Sequence, residues 1–413
     1  MRTNKTKPFY NTTIPNDWKV NDLGSLGSFS KGKGITKKEL SDEGLPCIRY
    51  GELYTTHDSV IREFISFIPR DVAKESKEIN SGDILFAGSG ETIEEIGKSA
   101  AYTKPEKAYA GGDVIILSTN ENIDAECLSY SLETDLVRKQ KRRLGQGNSV
   151  VHIYPSDLSK LRIPLPPLPE QKAIAHVLSL METAINKSMQ LIAQKELSKK
   201  WLMQNLLTSK KRLKGFSDKW DNEKLKNILN QAGNPLTPKE NELYQQIGIR
   251  SHTKGIFHKE KVTGAALGNK RVFWIKPDCF VVNIVFAWEH AIAKTTDNEI
   301  GMIASHRFPM YRPKEDILDL DYLLYFFMSK RGKHLLGLAS PGGAGRNKTL
   351  GKLEFMKLQI PVPTLKEQTA IAQVIQTADK EIQLLKTKTE KLREQKKGMM
   401  QVLLTGKKRL KIN

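Results

Sequence analysis

Apolar residues recur at alternating steps of four and three along two long stretches of the chain. This spacing is the heptad pattern of a helix that packs along one stripe against a partner helix. No proline interrupts either stretch, so we predict two long helices that pack together as one coiled coil. The predicted seam residues are Ile174, Leu178, Met181, Ile185, Ile192, Leu202 and Leu206 in the first helix, and Ile371, Ile375, Ile382, Leu385, Leu392, Met399 and Leu403 in the second.

The two helical stretches belong to a repeated block. Residues 161–214 align without a gap on residues 358–411, and 24 of the 54 positions are identical. Each block opens with a proline-rich lead-in, which is stiff and non-helical because proline fixes its own φ and restricts the residue before it. A weaker repeat precedes each block, with Trp18 in the first half and Trp220 in the second. The pattern indicates a tandem duplication.

The segments between the repeated blocks have the pattern of mixed α+β domains. Short runs rich in β-branched and aromatic residues, bounded by Gly and Asp, predict strands. The predicted strands lie at residues 46–50, 83–86, 114–118, 150–154, 272–275, 280–288 and 300–304, with helices at 125–138 and 322–328. The predicted organisation is a domain at 1–165, a helix at 166–210, a second domain at 211–362 and a second helix at 363–413.

Charge adds a candidate partner. The 413 residues include 66 Lys and Arg against 46 Asp and Glu, a net charge of +20, which suggests a polyanion, with nucleic acid ahead of an anionic membrane surface. Residues 160–214 and 357–411 each carry +8, whereas residues 1–159 carry −2, so the first domain is nearly neutral and must contact a polyanion through local clusters. Three widely spaced cysteines disfavour a disulfide scaffold and fit a reducing cytoplasm. No apolar stretch is long enough to span a bilayer.

Glycine-rich polar loops beside basic clusters are the candidate nucleic-acid contacts. Arg, Gln and Asn side chains next to glycine can approach base edges and phosphates closely. The same stretches could also be ordinary turns and solvated faces. The predicted DNA-contacting residues are Arg49, Ser89, Arg142, Arg143, Gln146 and Asn148 in the first half, and Arg250, Arg346, Asn347 and Lys348 in the second.

Signatures of catalysis are absent from the sequence. Residues 27–34 nearly match a phosphate-binding P-loop, but Gly34 stands where Ser or Thr would hold magnesium. Asn234-Pro235 lacks the following aromatic residue of an adenine methyltransferase site, and the eight histidines show no close metal-ligand spacing. We therefore predict no catalytic residue, no metal site and no cofactor site in this chain.

The repeated block resembles a known family. The pattern Leu-x-Ile-Pro-Leu-Pro-Pro-Leu-x-Glu-Gln-x-x-Ile-Ala at residues 161–175 is similar to the segment that leads into the conserved helices of the specificity (S) subunit of type I restriction–modification systems. It recurs at 358–372, where Thr364 and Lys366 replace two of the prolines. Residues 82–90 resemble a strand and loop of the family's target recognition domains. The resemblance covers essentially the whole chain.

The resemblance implies a fold and a division of labour. Two mixed α/β target recognition domains would each read one half of a bipartite sequence in double-stranded DNA, and the two helices would form an antiparallel coiled coil that sets the gap. The subunit would be noncatalytic and without a cofactor. Two modification subunits would bind it and methylate adenine at N6 with S-adenosylmethionine. Restriction subunits would translocate and cut DNA with ATP and magnesium. The near two-fold repeat would offer similar docking surfaces to both modification subunits.

Three other interpretations stay open at this point. The chain could serve a methyltransferase that has no restriction subunit, it could be a stand-alone nuclease with an unrecognised active site, or it could be a coiled-coil scaffold that does not contact DNA. DNA cleavage by the purified chain with magnesium would indicate the nuclease. Lack of binding to any duplex would indicate the scaffold. We expect a cytoplasmic location in each case.

Overall fold

A computed structural model of the chain describes residues 5–147, 150–342 and 348–410. These residues form two compact units. The first unit contains the described residues up to Met189 together with those from Lys388 onward, and the second contains Gln190–Thr387. Each unit therefore includes a part of both repeated blocks.

The first unit is a mixed α/β domain joined to parts of two long helices. Its strands are β1 Thr6–Phe9, β2 Thr12–Pro15, β3 Lys19–Asp22, β4 Gly27–Lys31, β5 Leu45–Ile48, β6 Val60–Ile61, β7 Ser66–Ile68, β8 Lys77–Ile79, β9 Asp83–Ala87, β10 Ser89–Gly90, β11 Ser99–Tyr102, β12 Ala108–Ala110, β13 Val114–Thr119, β14 Val151–His152 and β15 Arg162–Leu165. Its helices are α1 Tyr50–Thr55, α2 Arg70–Glu75, α3 Ala125–Leu132, α4 Asp135–Leu144, α5 Pro155–Leu158 and the first part of α6 Leu168–Leu206.

The second unit is also a mixed α/β domain joined to parts of the two long helices. Its strands are β16 Asp221–Lys224, β17 Leu229–Ala232, β18 Pro235–Leu236, β19 Leu243–Ile249, β20 Ile256–Thr263, β21 Val272–Trp274, β22 Phe280–Val282, β23 Ile292–Lys294, β24 Ile303–Ser305, β25 Met310–Pro313 and β26 Gln359–Val362. Its helices are the last part of α6, then α7 Leu225–Ile228, α8 Gly264–Leu267, α9 Leu320–Met328, α10 Lys330–Leu338, α11 Lys352–Lys357 and most of α12 Leu365–Leu403.

The sheets of the second unit repeat the strand order of the first. The order β17-β25-β22-β23 matches β4-β13-β9-β11, and β20-β19-β24-β21 matches β7-β5-β12-β8. In both units the second of these sheets contains one parallel pair, β5 with β12 and β19 with β24, while its other matched pairs are antiparallel. The duplication visible in the repeated blocks thus extends through the regions whose sequences have diverged.

The two long helices run antiparallel within each unit. In the first unit the hydroxyls of Ser188 and Thr389 lie 2.7 Å apart. In the second, Lys199 pairs with Asp379 at 2.5 Å and Lys195 pairs with Glu381 at 2.7 Å. Residues earlier in the first long helix therefore pair with residues later in the second, as antiparallel helices require. The side chains of all fourteen predicted seam residues are buried or half-buried.

Several predicted elements differ from the structure. The predicted strand at 280–288 ends at Val282, because Asn283 turns the chain by accepting a hydrogen bond from the main-chain N–H of Val285 at 3.1 Å. The predicted helix at 125–138 is two helices, α3 and α4. They are separated at Thr134, whose backbone is extended. The other predicted strands and the helix at 322–328 are present with ends shifted by a few residues.

None of the described helices is long and apolar enough to cross a lipid bilayer. The three cysteines are buried and form no disulfide.

Candidate nucleic-acid interface

Arg49 and Arg250 occupy the same position in the two domains. Arg49 directly follows β5 and Arg250 directly follows β19, and these are the matched strands that pair in parallel with β12 and β24. The side chain of Arg49 is half-buried and that of Arg250 is exposed. The duplicated fold therefore presents one arginine at an equivalent strand end in each domain.

A buried carboxylate orients Arg49. The Nε–H of Arg49 donates to Oε1 of Glu52 at 3.0 Å, and the same oxygen accepts from the hydroxyl of Ser66 at 2.6 Å. Burial alone would raise the pKa of Glu52, but hydrogen bonds, those from Ser66 and Arg49 among them, lower it below its ordinary value. Glu52 is thus ionised at neutral pH and holds the arginine through Nε, while the terminal nitrogens of Arg49 make no bond with the described residues.

The two predicted loops of the first domain meet through a short ladder. Ser89 in β10 lies opposite His152 in β14, and Gln146 exchanges main-chain hydrogen bonds with His152 at 2.9 and 2.7 Å. Ser89 is buried, and its carbonyl accepts from the hydroxyl of Tyr54 at 3.0 Å. Gln146 is exposed. Of these two predicted residues, only Gln146 is accessible to a ligand.

Two arginines precede this ladder in the chain, and an aromatic residue follows it. Arg142 and Arg143 are exposed in the last turn of α4, where cations are favoured by the helix dipole. Neither has an ion pair within the part of the chain that the structure describes. Tyr154 is also exposed, with Nζ of Lys31 at 6.0 Å from its ring centroid. Tyr154 was missed by the sequence analysis, although an exposed aromatic among basic residues is a typical feature of nucleic-acid binding. Asn148 lies outside the described residues.

In the second domain, Arg250 begins the turn of the β19–β20 hairpin. Its guanidinium lies 4.7 Å from the ring centroid of Phe257, which can support it by a cation–π interaction. The turn residues His252 and Thr253 have positive φ, and their main-chain N–H groups donate to the carbonyls of Glu289 and His290. The hairpin turn is therefore fixed against the 3₁₀ turn Ala287–Glu289.

Lys348 contacts the same 3₁₀ turn. Its Nζ lies 5.9 Å from the ring centroid of Trp288, which the sequence analysis did not select. Burial, with the charges of Lys333 and His252, lowers the pKa of His290 to about 4, so this histidine is neutral at pH 7. Arg250 and Lys348 therefore contribute positive charge to this surface, whereas His290 does not. Arg346 and Asn347 lie outside the described residues.

Among residues 5–147, 150–342 and 348–410, no group of three or more His, Cys, Asp or Glu side chains could hold a metal ion. The segment at 27–34 that resembles a P-loop contributes strand β4, which pairs along its length with β13. It therefore lacks the loop needed to cradle a phosphate.

The glutamate of each lead-in holds a basic tail. Glu170 is buried and accepts hydrogen bonds from Arg409 at 2.9 and 2.5 Å, and Glu367 is buried and accepts from Arg212 at 2.5 and 2.6 Å. Some of the basic residues in the two repeated blocks therefore form ion pairs within the protein.

Comparison with known proteins agrees with this duplicated arrangement. A family model described as "Type I restriction modification DNA specificity domain" matches residues 15–214 and again residues 217–394. The chain belongs to this family. The two matches correspond to the two halves of the duplication, and they confirm the family predicted from the lead-in pattern.

Relatives in the family match over most of the chain. The type I restriction enzyme MjaVIII specificity subunit of Methanocaldococcus jannaschii is 23% identical, over 98% of this chain and 96% of the relative. The putative type I restriction enzyme MjaX specificity subunit of the same organism is 26% identical, over 96% and 95%. The type I restriction enzyme EcoKI specificity subunit of Escherichia coli is 26% identical over 42% of this chain and 38% of the relative.

Solved structures of the family share the fold. The S subunit of a type I restriction–modification system from M. genitalium covers 99% of this chain and 100% of its own, with a TM-score of 0.60 at 15% identity. A chain from a study of complex assembly and conformational transition of the type I R-M system covers 97% and 100%, with a TM-score of 0.56 at 17% identity. These likenesses confirm the predicted fold class of two mixed α/β domains with two long helices.

Proposed function

We propose that this chain reads a bipartite site in double-stranded DNA for a type I restriction–modification complex. Each domain recognises one half of the site, and the antiparallel helices set the gap between the halves. The observation that carries this proposal is the duplication of a DNA specificity domain in one chain. Arg49 and Arg250 at equivalent strand ends supply each copy with a side chain suited to reading a base edge.

Positioning and base reading fall to different residues in this proposal. Arg142, Arg143 and Lys31 bind phosphates, which adds affinity but carries no sequence information. Arg49 uses its terminal nitrogens to contact guanine while Glu52 keeps the side chain oriented. Orientation before binding lowers the entropy lost when the complex forms.

Catalysis belongs to partner subunits in this proposal. Two modification subunits bind the chain and methylate adenine at N6 with S-adenosylmethionine. Restriction subunits use ATP to translocate DNA and magnesium to cut it. The chain itself binds no cofactor and acts in the cytoplasm, where it meets DNA. DNA cleavage by the purified chain with magnesium, abolished by a carboxylate substitution, would instead support a stand-alone nuclease.

Methylome sequencing tests the assignment of the half-sites. The full chain, its Arg49→Lys variant and its Arg250→Ala variant would each be expressed with the modification subunit in a host that lacks adenine methylation. Arg49→Lys keeps the charge beside Glu52 but loses the planar fork. It should relax one base of one half-site, with a loss of about 1–3 kcal/mol of discrimination. Arg250→Ala should relax the other half-site only.

A matched control is Arg70→Ala, since Arg70 is exposed in the first domain and pairs with no described residue. It should leave the recognised sequence unchanged. Equal relaxation of both half-sites by either arginine variant would refute the assignment of one domain to each half.

A further inference from the structure

Each domain has one helix whose start is attached to a long helix. These domain helices are α3 and α9, which begin directly after Asp124 and Asp319. The main-chain N–H of Asp124 donates to the side chain of Gln171 in α6, and that of Asp319 donates to the side chain of Gln368 in α12. A single point of attachment fixes the position of a rigid element but not its direction.

In the first unit, a tyrosine provides a second attachment. Six residues after Asp124, the hydroxyl of Tyr130 donates to Oε2 of Glu182 in α6 at 2.5 Å. Nζ of Lys396 in α12 lies 3.5 Å from the same oxygen and 5.3 Å from the centroid of the Tyr130 ring. Tyr130 and Glu182 are buried. One domain helix and both long helices therefore meet at these three side chains.

The second unit contains the same three chemical groups. Six residues after Asp319, the hydroxyl of Tyr325 donates to Oδ2 of Asp379 in α12 at 3.0 Å. Nζ of Lys199 in α6 lies 2.5 Å from Oδ1 of Asp379 and 5.8 Å from the centroid of the Tyr325 ring. Tyr325 is buried and Asp379 is half-buried. We call each set of tyrosine, carboxylate and lysine a triad.

The two triads are alike although the sequences of the two domains have diverged. Their carboxylates are 197 positions apart, and so are their lysines, so both pairs are equivalent in the repeated blocks. Of the nine residues at 124–132, only the capping aspartate, one leucine and the tyrosine are identical to their equivalents at 319–327. An apolar side chain would fill the tyrosine position equally well and would leave no buried polar group to satisfy. The retained hydroxyl therefore indicates a role beyond packing.

The direction of each domain on its helices bears on which gap the chain accepts. One additional base pair between two half-sites moves one of them by about 3.4 Å and turns it by about 35° around the DNA axis. A domain attached at one point could turn to follow the displaced half-site, and the chain would then tolerate several gaps. A domain attached at two points must break one attachment to turn in this way.

We propose that the two triads restrict the chain to a single gap length by holding each domain in one direction on its long helices. The bond from the tyrosine hydroxyl to the carboxylate is the attachment that breaks when a domain turns toward a misplaced half-site. The triad residues are positioning residues, because they act on DNA only through the domain that they orient. This inference rests on the proposed function, and it assigns the accuracy of the gap to side chains outside the heptad seam.

Duplexes that differ only in the gap test the inference. Methylome sequencing of a host that expresses the unaltered chain with the modification subunit would first identify the half-sites and the natural gap. The dissociation constant of the complex would then be measured for the natural gap and for gaps one base pair longer or shorter. The ratio of these constants is the gap discrimination. Tyr325→Phe removes only the hydroxyl and should lower the discrimination by about tenfold, because a hydrogen bond to a charged group no longer opposes the turn.

A second variant tests whether the tyrosine acts through the carboxylate. Asp379→Ala removes the contacts with both the hydroxyl and the lysine, and it should lower the gap discrimination at least as much as Tyr325→Phe. Tyr325→Phe added to Asp379→Ala should have little further effect, because the two groups act through one bond.

The first unit should be less sensitive to the same change. Arg62, which follows β6 of the first domain, also pairs with Glu182 at 3.4 Å. This ion pair remains when the hydroxyl of Tyr130 is removed. Tyr130→Phe should therefore lower the gap discrimination less than Tyr325→Phe does.

Tyr244→Phe is the matched control in the second domain. The hydroxyl of Tyr244 donates to Oε2 of Glu242 at 2.8 Å, so the substitution removes the same kind of bond at a place that involves neither long helix. It should keep the gap discrimination of the unaltered chain. Thermal unfolding would check that every variant is folded, and methylome sequencing should return unchanged half-sites for each.

Two outcomes would overturn the inference. In one, Tyr325→Phe and Asp379→Ala keep the full gap discrimination. In the other, Tyr244→Phe lowers the discrimination as much as they do, which would assign the effect to a general loss of stability. Failure of the proposed function is distinct, since the unaltered complex would then methylate no bipartite sequence.

Discussion

Glu170 and Glu367 are buried carboxylates at the same point of the two repeated blocks. Each accepts two hydrogen bonds from an arginine of a basic tail, Arg409 for the first and Arg212 for the second. A buried charge is tolerated only when it is paired and hydrogen-bonded. The glutamate of the lead-in pattern therefore has a structural role that the sequence motif alone does not reveal.

Removal of one of these arginines should show how much an unpaired, buried carboxylate destabilises the protein. We expect Arg409→Ala to lower the free energy of unfolding by about 3 kcal/mol, because Glu170 would remain buried without its cation. Urea denaturation would measure the change. The control Arg393→Ala breaks an exposed pair with Glu390 and an exposed contact with the sulfur of Met189, and it should change stability by about 1 kcal/mol or less. Equal losses in the two variants would contradict the role assigned to Glu170.

Glu133 couples the stability of the first unit to acid pH. Burial by itself would raise the pKa of Glu133, but the charges of Lys141, Lys98 and Arg138 outweigh it and lower the pKa to about 2. The ordinary value is 4.5. A carboxyl whose pKa is lower in the folded state contributes stability above its unfolded pKa and loses it as the pH falls through the folded value. Glu133 should therefore stabilise the protein above about pH 4.5 and cease to do so near pH 2.

The double variant Glu133→Gln/Lys141→Met tests this by removing the carboxyl together with its buried partner, since Lys141 is also buried. We expect its free energy of unfolding to fall less steeply between pH 4.5 and pH 2 than that of the unaltered chain. Urea denaturation followed by circular dichroism across this range would measure the slopes. Glu390→Gln, at an exposed glutamate, should leave the slope unchanged. Parallel slopes for all three proteins would refute the coupling.

At the scale of elements, one glutamine joins three parts of each unit. Oε1 of Gln171 accepts from the main-chain N–H of Asp124 at 3.0 Å, and its Nε2 donates to the carbonyl of Pro166 at 2.9 Å. Gln368 repeats this with Asp319 and Pro363, both at 2.8 Å. Because the two aspartates cap α3 and α9, each glutamine connects a long helix, its lead-in and a domain helix.

Loss of this glutamine side chain should weaken the attachment of the lead-in to the domain helix. We expect Gln368→Leu to lower the free energy of unfolding by about 2 kcal/mol or more, because buried main-chain groups would lose their partners. Hydrogen exchange at the amide of Asp319 should accelerate, and urea denaturation would give the stability. Gln373→Leu is the control, since Gln373 is exposed on the same helix. Unchanged exchange at Asp319 would show that the glutamine does not hold the two elements together.

On the scale of the whole molecule, we proposed that the two long helices set the gap between the two half-sites. A change in the length of both helices should therefore change this gap. Seven residues added to each long helix at the Ser188–Thr389 pair would preserve the heptad register. A heptad lengthens a helix by about 10 Å, which corresponds to about three base pairs of duplex DNA. We therefore expect an unchanged pair of half-sites with a gap about three base pairs longer.

Methylome sequencing of a host that expresses the lengthened chain with the modification subunit would measure the gap. The control has the insertion in α6 alone, which breaks the pairing of the seam and should abolish methylation. Altered half-sites with the original gap would show that the helices do not determine the spacing.

The seam residues, the strand at 280–288 and the glycine-rich loops show which features could be predicted from the sequence. The seam residues could be predicted because a helix repeats its buried face at a fixed interval. All of them are buried or half-buried in the structure. Prediction of the strand at 280–288 was wrong beyond Val282, since apolar side chains in a turn look the same as those in a strand until Asn283 is seen bonding to Val285. Exposure of Gln146 and burial of Ser89 were likewise invisible in the glycine-rich loops.

The sequence by itself determined the duplication, the two long helices and the family, because these follow from the local periodicity of apolar residues and from the recurrence of identical residues. Only the tertiary structure decided which distant groups meet, such as Arg409 with Glu170, and that Arg49 and Arg250 stand at equivalent strand ends. Such pairings depend on strand order and packing between segments far apart in the chain, and local residue patterns do not specify them.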